Sequence, residues 1–269
     1  MPALASPSVT WNPSDYAAHS GLQLGWAREL LARLTWRGDE RVLDVGCGDG
    51  KVSAELAAAL PRGRVLGVDI APEMIRFARK QFPQTRHANL EFAVMDARAL
   101  RFEREFDLVF SNATLHWVDD HPAFLRGAAS ALVPGGRLVV SAGGRGNADA
   151  VFRVLRRVMR RRPWRDCFRR MARPYFFHTP EDYARWLPQA GFEPQTIRLV
   201  PREARFQNVA DFAAWLRTTW LPYTQRVPEG ERDAFIAALV EGYLAEQPRD
   251  ADGAVRVGLV RLELDAVRI

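Results

Sequence analysis

The ten residues Arg41-Val42-Leu43-Asp44-Val45-Gly46-Cys47-Gly48-Asp49-Gly50 constrain this 269-residue chain more than any other stretch. Arg41 to Val45 reads as a short buried strand. Three glycines at alternate positions then let the backbone bend sharply and approach a ligand closely. Residues 51–60 read as a helix whose first N–H groups lack intrahelical partners and face that ligand. A second strand over 64–70 carries Asp69 near its end, where an acid in a βαβ unit is placed to hold two ribose hydroxyls.

The alternation continues beyond that unit. Asn12-Pro13-Ser14 signals a turn and cap, and residues 27–34 have helical apolar spacing, which gives an N-terminal arm and helix over 1–36. Pro72 opens a helix to about residue 81, since its missing N–H costs nothing in a first turn. Further strands are expected over 90–95, 106–111 and 137–142, with a helix over 122–132 and a turn at Pro134-Gly135-Gly136. This order specifies a parallel, doubly wound α/β sheet with helices on both faces, over a core of residues 37–145. Residues 146–257 read as a helical cap: an arginine-rich helical stretch over 149–173, a helix from Pro180 closed by Gly191, one sheet strand near 192–200, and two helices over 208–247 split at Leu221-Pro222. Residues 258–269 read as a terminal sheet strand.

Composition narrows the class. At 48% hydrophobic and 26% charged residues the chain is an ordinary globular protein. It has no apolar run long enough to span a membrane, and residues 1–10 lack the basic and apolar regions of a signal peptide. Two cysteines, Cys47 and Cys167, suggest a reducing cytoplasm. The net charge is +6, and Lys51 and Lys80 are the only lysines among 38 basic residues. An arginine bias of this kind can follow genomic base composition, which weakens any argument from charge to nucleic acid. The five histidines, at 19, 87, 116, 121 and 178, lack metal-ligand spacing.

The glycine spacing separates the nucleotide-binding loops. A dinucleotide fingerprint needs a third glycine at position 51, which is Lys51, and no Gly-Lys-Ser/Thr triplet marks a phosphate loop. The pattern at 42–50 resembles the first motif of the class I S-adenosylmethionine-dependent methyltransferases. Asp69, Met95-Asp96-Ala97, the segment 106–112 and Leu132-Val133-Pro134-Gly135-Gly136 resemble that family's later motifs in order. The resemblance implies a Rossmann-like seven-stranded sheet with a helical cap, S-adenosyl-L-methionine as methyl donor, and S-adenosyl-L-homocysteine as product.

It also implies residue roles. Asp69 would accept from both ribose hydroxyls, with Ile70 beside it. Gly46, Cys47, Gly48 and Gly50 would lie against the methionine part, and Asp44 would bind its ammonium or serve as a structural acid for the loop. Asp96 and Ala97 would bind adenine, and Met74 would pack on that ring or in the core. Asn112 lies at the carboxyl edge of the sheet. Tyr16 and Gln23 would close over the cofactor or simply pack on the sheet. Cys47 reads as a small packing residue in the turn, and His121 as a surface residue at a helix start.

Within the family the chain resembles the trans-aconitate methyltransferase group, through Trp11-Asn12-Pro13-Ser14 with Tyr16 and through residues 111–118. That likeness implies a small, anionic carboxylate acceptor. His116 departs from the Gln expected in that group, and the arginine-rich stretch is also unlike it. His116 would orient the acceptor or take a proton, and Trp117 would wall the acceptor or the sulfonium. A carboxylate needs no general base, whereas a phenol, amine or carbon acid does. Arg153, Arg156, Arg157 and Arg160 fall at helical spacing as anion ligands or as a solvated face. The alternatives are a natural-product hydroxyl, amine or carbon acceptor, a tRNA substrate bound through these arginines, or a non-catalytic cofactor-binding protein. The expected partners are a small molecule, no membrane and no nucleic acid, in a monomer or homodimer.

Overall fold

The computed structural model describes residues 9–269, so the first eight residues of the expected arm lie outside it. Its strands are β1 Arg41–Val45, β2 Arg64–Asp69, β3 Leu90–Val94, β4 Phe106–Asn112, β5 Leu132–Gly143, β6 Phe192–Phe206 and β7 Val255–Arg268. They form one seven-stranded sheet in the order β3-β2-β1-β4-β5-β7-β6. Strands β1 to β5 pair in parallel, and β7 runs antiparallel to β5 with Gly143 opposite Arg261. The strand order reverses between β1 and β4, and the carboxyl ends at such a reversal are where open α/β sheets bind ligands.

The helices are α1 Pro13–His19, α2 Gly21–Leu31, α3 Lys51–Ala59, α4 Pro72–Gln81, α5 His121–Ala131, α6 Asp149–Val158, α7 Pro180–Gln189, α8 Val209–Thr219, α9 Leu221–Thr224 and α10 Arg232–Glu246. The central strands are apolar on both sides because both sheet faces are covered. Val42, Val65, Leu108, Phe110 and Val139 pack with Leu56, Ile75 and Leu30 on one face. Leu43, Val45, Val109, Leu138 and Val140 pack with Phe124, Leu125 and Leu187 on the other.

The chain clusters into two compact units. One holds residues 20–145, 175–200 and 261–269, and contains α2 to α5, α7 and most of the sheet. The other holds the described residues up to 19, with 146–174 and 201–260. In that second unit α6 buries Val151, Val154, Leu155 and Val158, and α10 buries Phe235, Ile236, Leu239, Val240 and Tyr243.

Several elements differ from expectation. The final strand is antiparallel, so the sheet is mixed. Strand β5 begins at Leu132, and Pro134-Gly135-Gly136 is a register shift within it, with Gly135 at φ +76°. The arginine-rich stretch is α-helical only over α6, followed by a short 3₁₀ turn at Trp164–Phe168. Pro163 disfavours helix at the residue before it and donates no N–H, which ends a continuous helix there. Strands β6 and β7 are longer than expected, and a short α9 follows the Leu221-Pro222 break. His121 is buried, not a surface residue: its Nδ1 lies 2.6 Å from the Tyr183 hydroxyl, and its ring meets His178 edge-on at 4.3 Å.

Candidate active site

The glycine loop is built by left-handed backbone. Gly46, Gly48 and Gly50 have φ of +78°, +55° and +85°. Gly46 and Cys47 both donate their N–H to the Val68 carbonyl, at 2.7 and 3.0 Å, which ties the loop to β2. Asp69, at the end of β2, accepts from Gly48 N–H at 3.0 Å and from Ala71 N–H at 2.9 Å. Burial pushes its carboxyl above the ordinary value, against these two bonds. The carboxylate thus braces the loop as well as facing the sheet edge. Ile70, next along the chain, leaves 59% of its surface exposed.

Behind the loop, Asp44 is buried and accepts from Ser53 Oγ at 2.6 Å. Burial raises its pKa to about 7, and the nearby Asp69 charge adds to the rise. Cys47 is buried, and burial with the adjacent carboxylates drives its thiol well upward, so it is an inert packing group. Met74 is also buried, at 2% exposure, which favours its reading as a core residue. Asp96 caps the turn Ala97–Ala99, accepting from Arg98 N–H, and both its oxygens take bonds from the Arg98 guanidinium. Burial opposes its ionisation, but those Arg98 bonds outweigh it and hold the carboxyl low. The adjoining Ala97 is buried.

Asn112 closes β4. Its Nδ2 donates to the Gln23 carbonyl at 3.0 Å, and its Oδ1 accepts from Arg261 Nη2 at 3.1 Å. The Asn112 amide therefore organises the end of the sheet. Gln23 Oε1 is buried with no hydrogen-bond partner among the described residues. Tyr16 stands on α1 in the second unit, packed edge-on against Trp11 at 5.3 Å.

The turn after β4 carries the reactive candidates. Thr114 Oγ1 donates to the Gly46 and Asn112 carbonyls, 3.1 Å each, which joins this turn to the glycine loop. His116 Nδ1 accepts from Gly143 N–H at 3.3 Å, so the proton of the neutral ring sits on Nε2. Burial, helped by the charge of Arg261, pushes its pKa down to about 3. His116 is accordingly a neutral donor at Nε2. The aromatic rings of Trp117, Tyr175 and Phe177 lie 5.9 to 6.1 Å from it, and Trp117 meets Tyr175 edge-on at 4.8 Å. The Phe176 N–H donates to the His116 carbonyl, which fixes the 175–177 segment beside this turn.

Sequence reasoning missed Arg261, Ser141 and Trp26. Arg261 is 4% exposed. It donates to Ser141 Oγ, the Ser141 carbonyl and Asn112 Oδ1, and its guanidinium lies 4.8 Å from the Trp26 ring centroid. Within β7 it belongs to an alternation, Arg261, Glu263, Asp265, that reads from sequence as a solvated face. The four arginines of the arginine-rich stretch divide: Arg153 and Arg157 pair with Glu246 in the second unit, while Arg156 and Arg160, the latter beyond α6, line a surface cavity of about 460 Å³.

A model of the methyltransferase domain matches residues 42–136. Relatives at about a third identity span nearly the whole chain, and the chain belongs to the class I S-adenosylmethionine-dependent methyltransferases. Those relatives include the trans-aconitate 2-methyltransferase of Streptomyces coelicolor, 33% identical over 265 residues that cover 94% of this chain and 84% of that protein. The trans-aconitate 2-methyltransferase of Azoarcus sp. is 32% identical over 264 residues, covering 96% and 99%. Among solved structures, the YcgJ protein of Bacillus subtilis has a TM-score of 0.62 at 15% identity over 91% of this chain and 98% of that one. Phosphoethanolamine N-methyltransferase 2 of Haemonchus contortus, solved with S-adenosyl-L-methionine, also has a TM-score of 0.62, at 17% identity over 95% and 56%. Both share the fold.

The residues of this loop fit the family's cofactor. The three positive-φ glycines turn the backbone sharply at the end of β1, with Gly46 packed on Thr114 and Gly50 on Phe92; the orphaned Gln23 oxygen is a buried acceptor, and exposed Ile70 offers an apolar surface for a flat ring. No helix among the described residues is long and apolar enough to cross a membrane.

Proposed function

We propose that this methyltransferase esterifies a small carboxylic acid. The observation that carries the reading is the state of His116. With Nδ1 taken by Gly143 N–H and a pKa pushed to about 3, the ring offers a hydrogen-bond donor and no proton acceptor. An amine, phenol or carbon acid must lose a proton during transfer, and this residue is unsuited to take it. A carboxylate is already ionised near neutral pH and asks only for orientation. The likeness to relatives named for trans-aconitate supports the same acceptor class.

The cofactor supplies an activated methyl group on a sulfonium. In this reading Asp69 holds the ribose hydroxyls and Ile70 covers adenine. Asp96 keeps the turn that presents Ala97 in place, its own oxygens being shared with Arg98. The turned backbone of Gly46, Gly48 and Gly50 and the Gln23 oxygen receive the methionine part, with Asp44 behind the loop. Trp117 and Tyr175 exclude water and present ring faces to a cation. His116 Nε2–H holds the acceptor. Positioning and desolvation supply most of the rate in such an in-line displacement.

The test is release of S-adenosylhomocysteine with a panel of carboxylic acids that includes trans-aconitate, with Asp69→Ala as control. Turnover on an acid, lost in the variant, is the expected result. Cofactor binding without release on any acid, together with release on an amine or phenol, overturns the carboxylate reading.

A further inference from the structure

Like charges one helical turn apart repel unless an opposite charge lies between them. Arg153, Arg156, Arg157 and Arg160 follow one another along a single stripe of α6 and the turn beyond it. Glu246 of α10 relieves half of that stripe, through Arg153 and Arg157. Arg156 and Arg160 have no such acid: among the described residues neither side chain takes part in an ion pair or a hydrogen bond.

Beyond α6 the chain turns through Pro163 into the 3₁₀ segment Trp164–Phe168. The rings of Trp164 and Phe168 meet Phe235 of α10 at 5.4 and 5.5 Å, which holds that segment in place. It brings Arg165 and Arg169 to the same cavity of about 460 Å³ as Arg156 and Arg160, with Met159 and Phe168 as the apolar lining. Asp166 pairs with Arg165 and Arg169, at 3.7 and 3.0 Å, and both pairs are exposed, so they contribute little. Four guanidiniums and one carboxylate leave an excess of three positive charges around the cavity.

Volume, charge and lining together select a ligand class. Sites for small organic molecules span about 300–1,000 Å³. A guanidinium fork matches carboxylate and phosphate alike. A phosphate monoester carries about −1.5 to −2 charges at neutral pH, so it offsets more of the excess than a carboxylate does. An apolar group on its ester oxygen can rest on Met159 and Phe168. The lining comes from residues 156–169 alone, which makes a pocket and not the extended basic groove that a nucleic-acid strand follows.

We propose that this cavity is a second ligand site of the protein, which binds a small phosphate monoester with an apolar body through Arg156, Arg160, Arg165 and Arg169. None of the residues assigned to the cofactor or the acceptor lines it, so the site is independent of which acceptor is methylated.

The probe is phenyl phosphate, titrated by calorimetry with S-adenosylhomocysteine present to occupy the cofactor site. The wild type is expected to bind it roughly tenfold more tightly than inorganic phosphate, which lacks the ring, and than benzoate, which lacks the second charge. Arg156→Gln and Arg160→Gln are each expected to weaken it roughly tenfold or more. The melting temperature of the unliganded variants is expected to be unchanged or raised, because a repulsion is removed. Arg153→Gln takes the same charge from the same stripe outside the cavity, and is expected to keep the affinity within about twofold. Equal wild-type affinity for phenyl phosphate and benzoate, or no binding of phenyl phosphate, overturns the proposal without any variant. An equal loss in Arg153→Gln and Arg156→Gln also overturns it, by showing a diffuse field in place of a site. A single-stranded RNA oligonucleotide that binds more tightly than phenyl phosphate, with affinity falling steeply as salt rises, overturns it in favour of a nucleic-acid surface.

Discussion

Gly46→Ala is a direct probe of the loop geometry. A Cβ at Gly46 would lie 2.1 Å from both Thr114 Cγ2 and Oγ1, and 2.5 Å from Thr114 Cβ. Thr114 cannot simply turn away, because its Oγ1 bonds two carbonyls and its branched side chain has few rotamers. Two costs add. A non-glycine residue in the left-handed region, here at φ +78°, costs about 1–2 kcal/mol, and overpacking costs about 1–3 kcal/mol. The expected loss is therefore about 2–5 kcal/mol in urea unfolding, with weaker cofactor binding. Thr114→Gly in the same chain removes the overpacking and leaves the backbone cost, so the pair should be coupled by about 1–3 kcal/mol. Thr114→Ala retains the 2.5 Å approach to Cβ and should recover less than Thr114→Gly. Additive single and double variants, or a neutral Gly46→Ala, would refute the reasoning.

Three further outcomes are expected. Asp69→Ala removes the acceptor of two backbone N–H groups and should weaken cofactor binding roughly tenfold or more in a calorimetric titration; unchanged affinity counts against the ribose role. Asp44 has its pKa raised to about 7, so the stability it contributes is present below the ordinary carboxyl value and lost as pH rises through 7. Asp44→Asn should flatten that decline between pH 4 and 8 in thermal melts, and parallel curves for the two proteins exclude it. Burial alone would raise Glu263, but bonds from Arg198 and Arg33, each with a contact of 2.7 Å, hold its carboxyl low. Its contribution is therefore present above the ordinary carboxyl value and lost on acidification. Glu263→Gln should cost about 1–3 kcal/mol at pH 7 and progressively less towards pH 3, measured by urea unfolding.

The cofactor half was legible because its signals are local. Glycines 46, 48 and 50 and the carboxylate of Asp69 have meaning at fixed short spacings, and the structure gives all three glycines positive φ. Strand boundaries were less legible: β5 runs through Pro134-Gly135-Gly136, since a bulge accommodates residues that usually end a strand. His121 looked solvated because a histidine after two aspartates resembles a surface helix start, and only the fold brings Tyr183 and His178 against it. Arg261 was hidden for a related reason. Alternating polar residues on a strand look alike whether their face meets water or packs in the interior. The arginines of α6 were separable only through Glu246, which lies 89 residues from Arg157.

Two contacts made by strand ends of the sheet are closed by very different lengths of chain. Gly48 and Asp69 are 21 residues apart, whereas Asn112 and Arg261 are 149 apart. On loop-closure entropy alone the longer contact costs about 1.7 kcal/mol more to form. The pairing of the glycine loop with Asp69 can therefore form from a contiguous stretch before the strand bearing Arg261 docks. A chain with β7 unzipped is thus a distinct species, in which Gly48 and Asp69 can still meet while Asn112 and Ser141 lack Arg261.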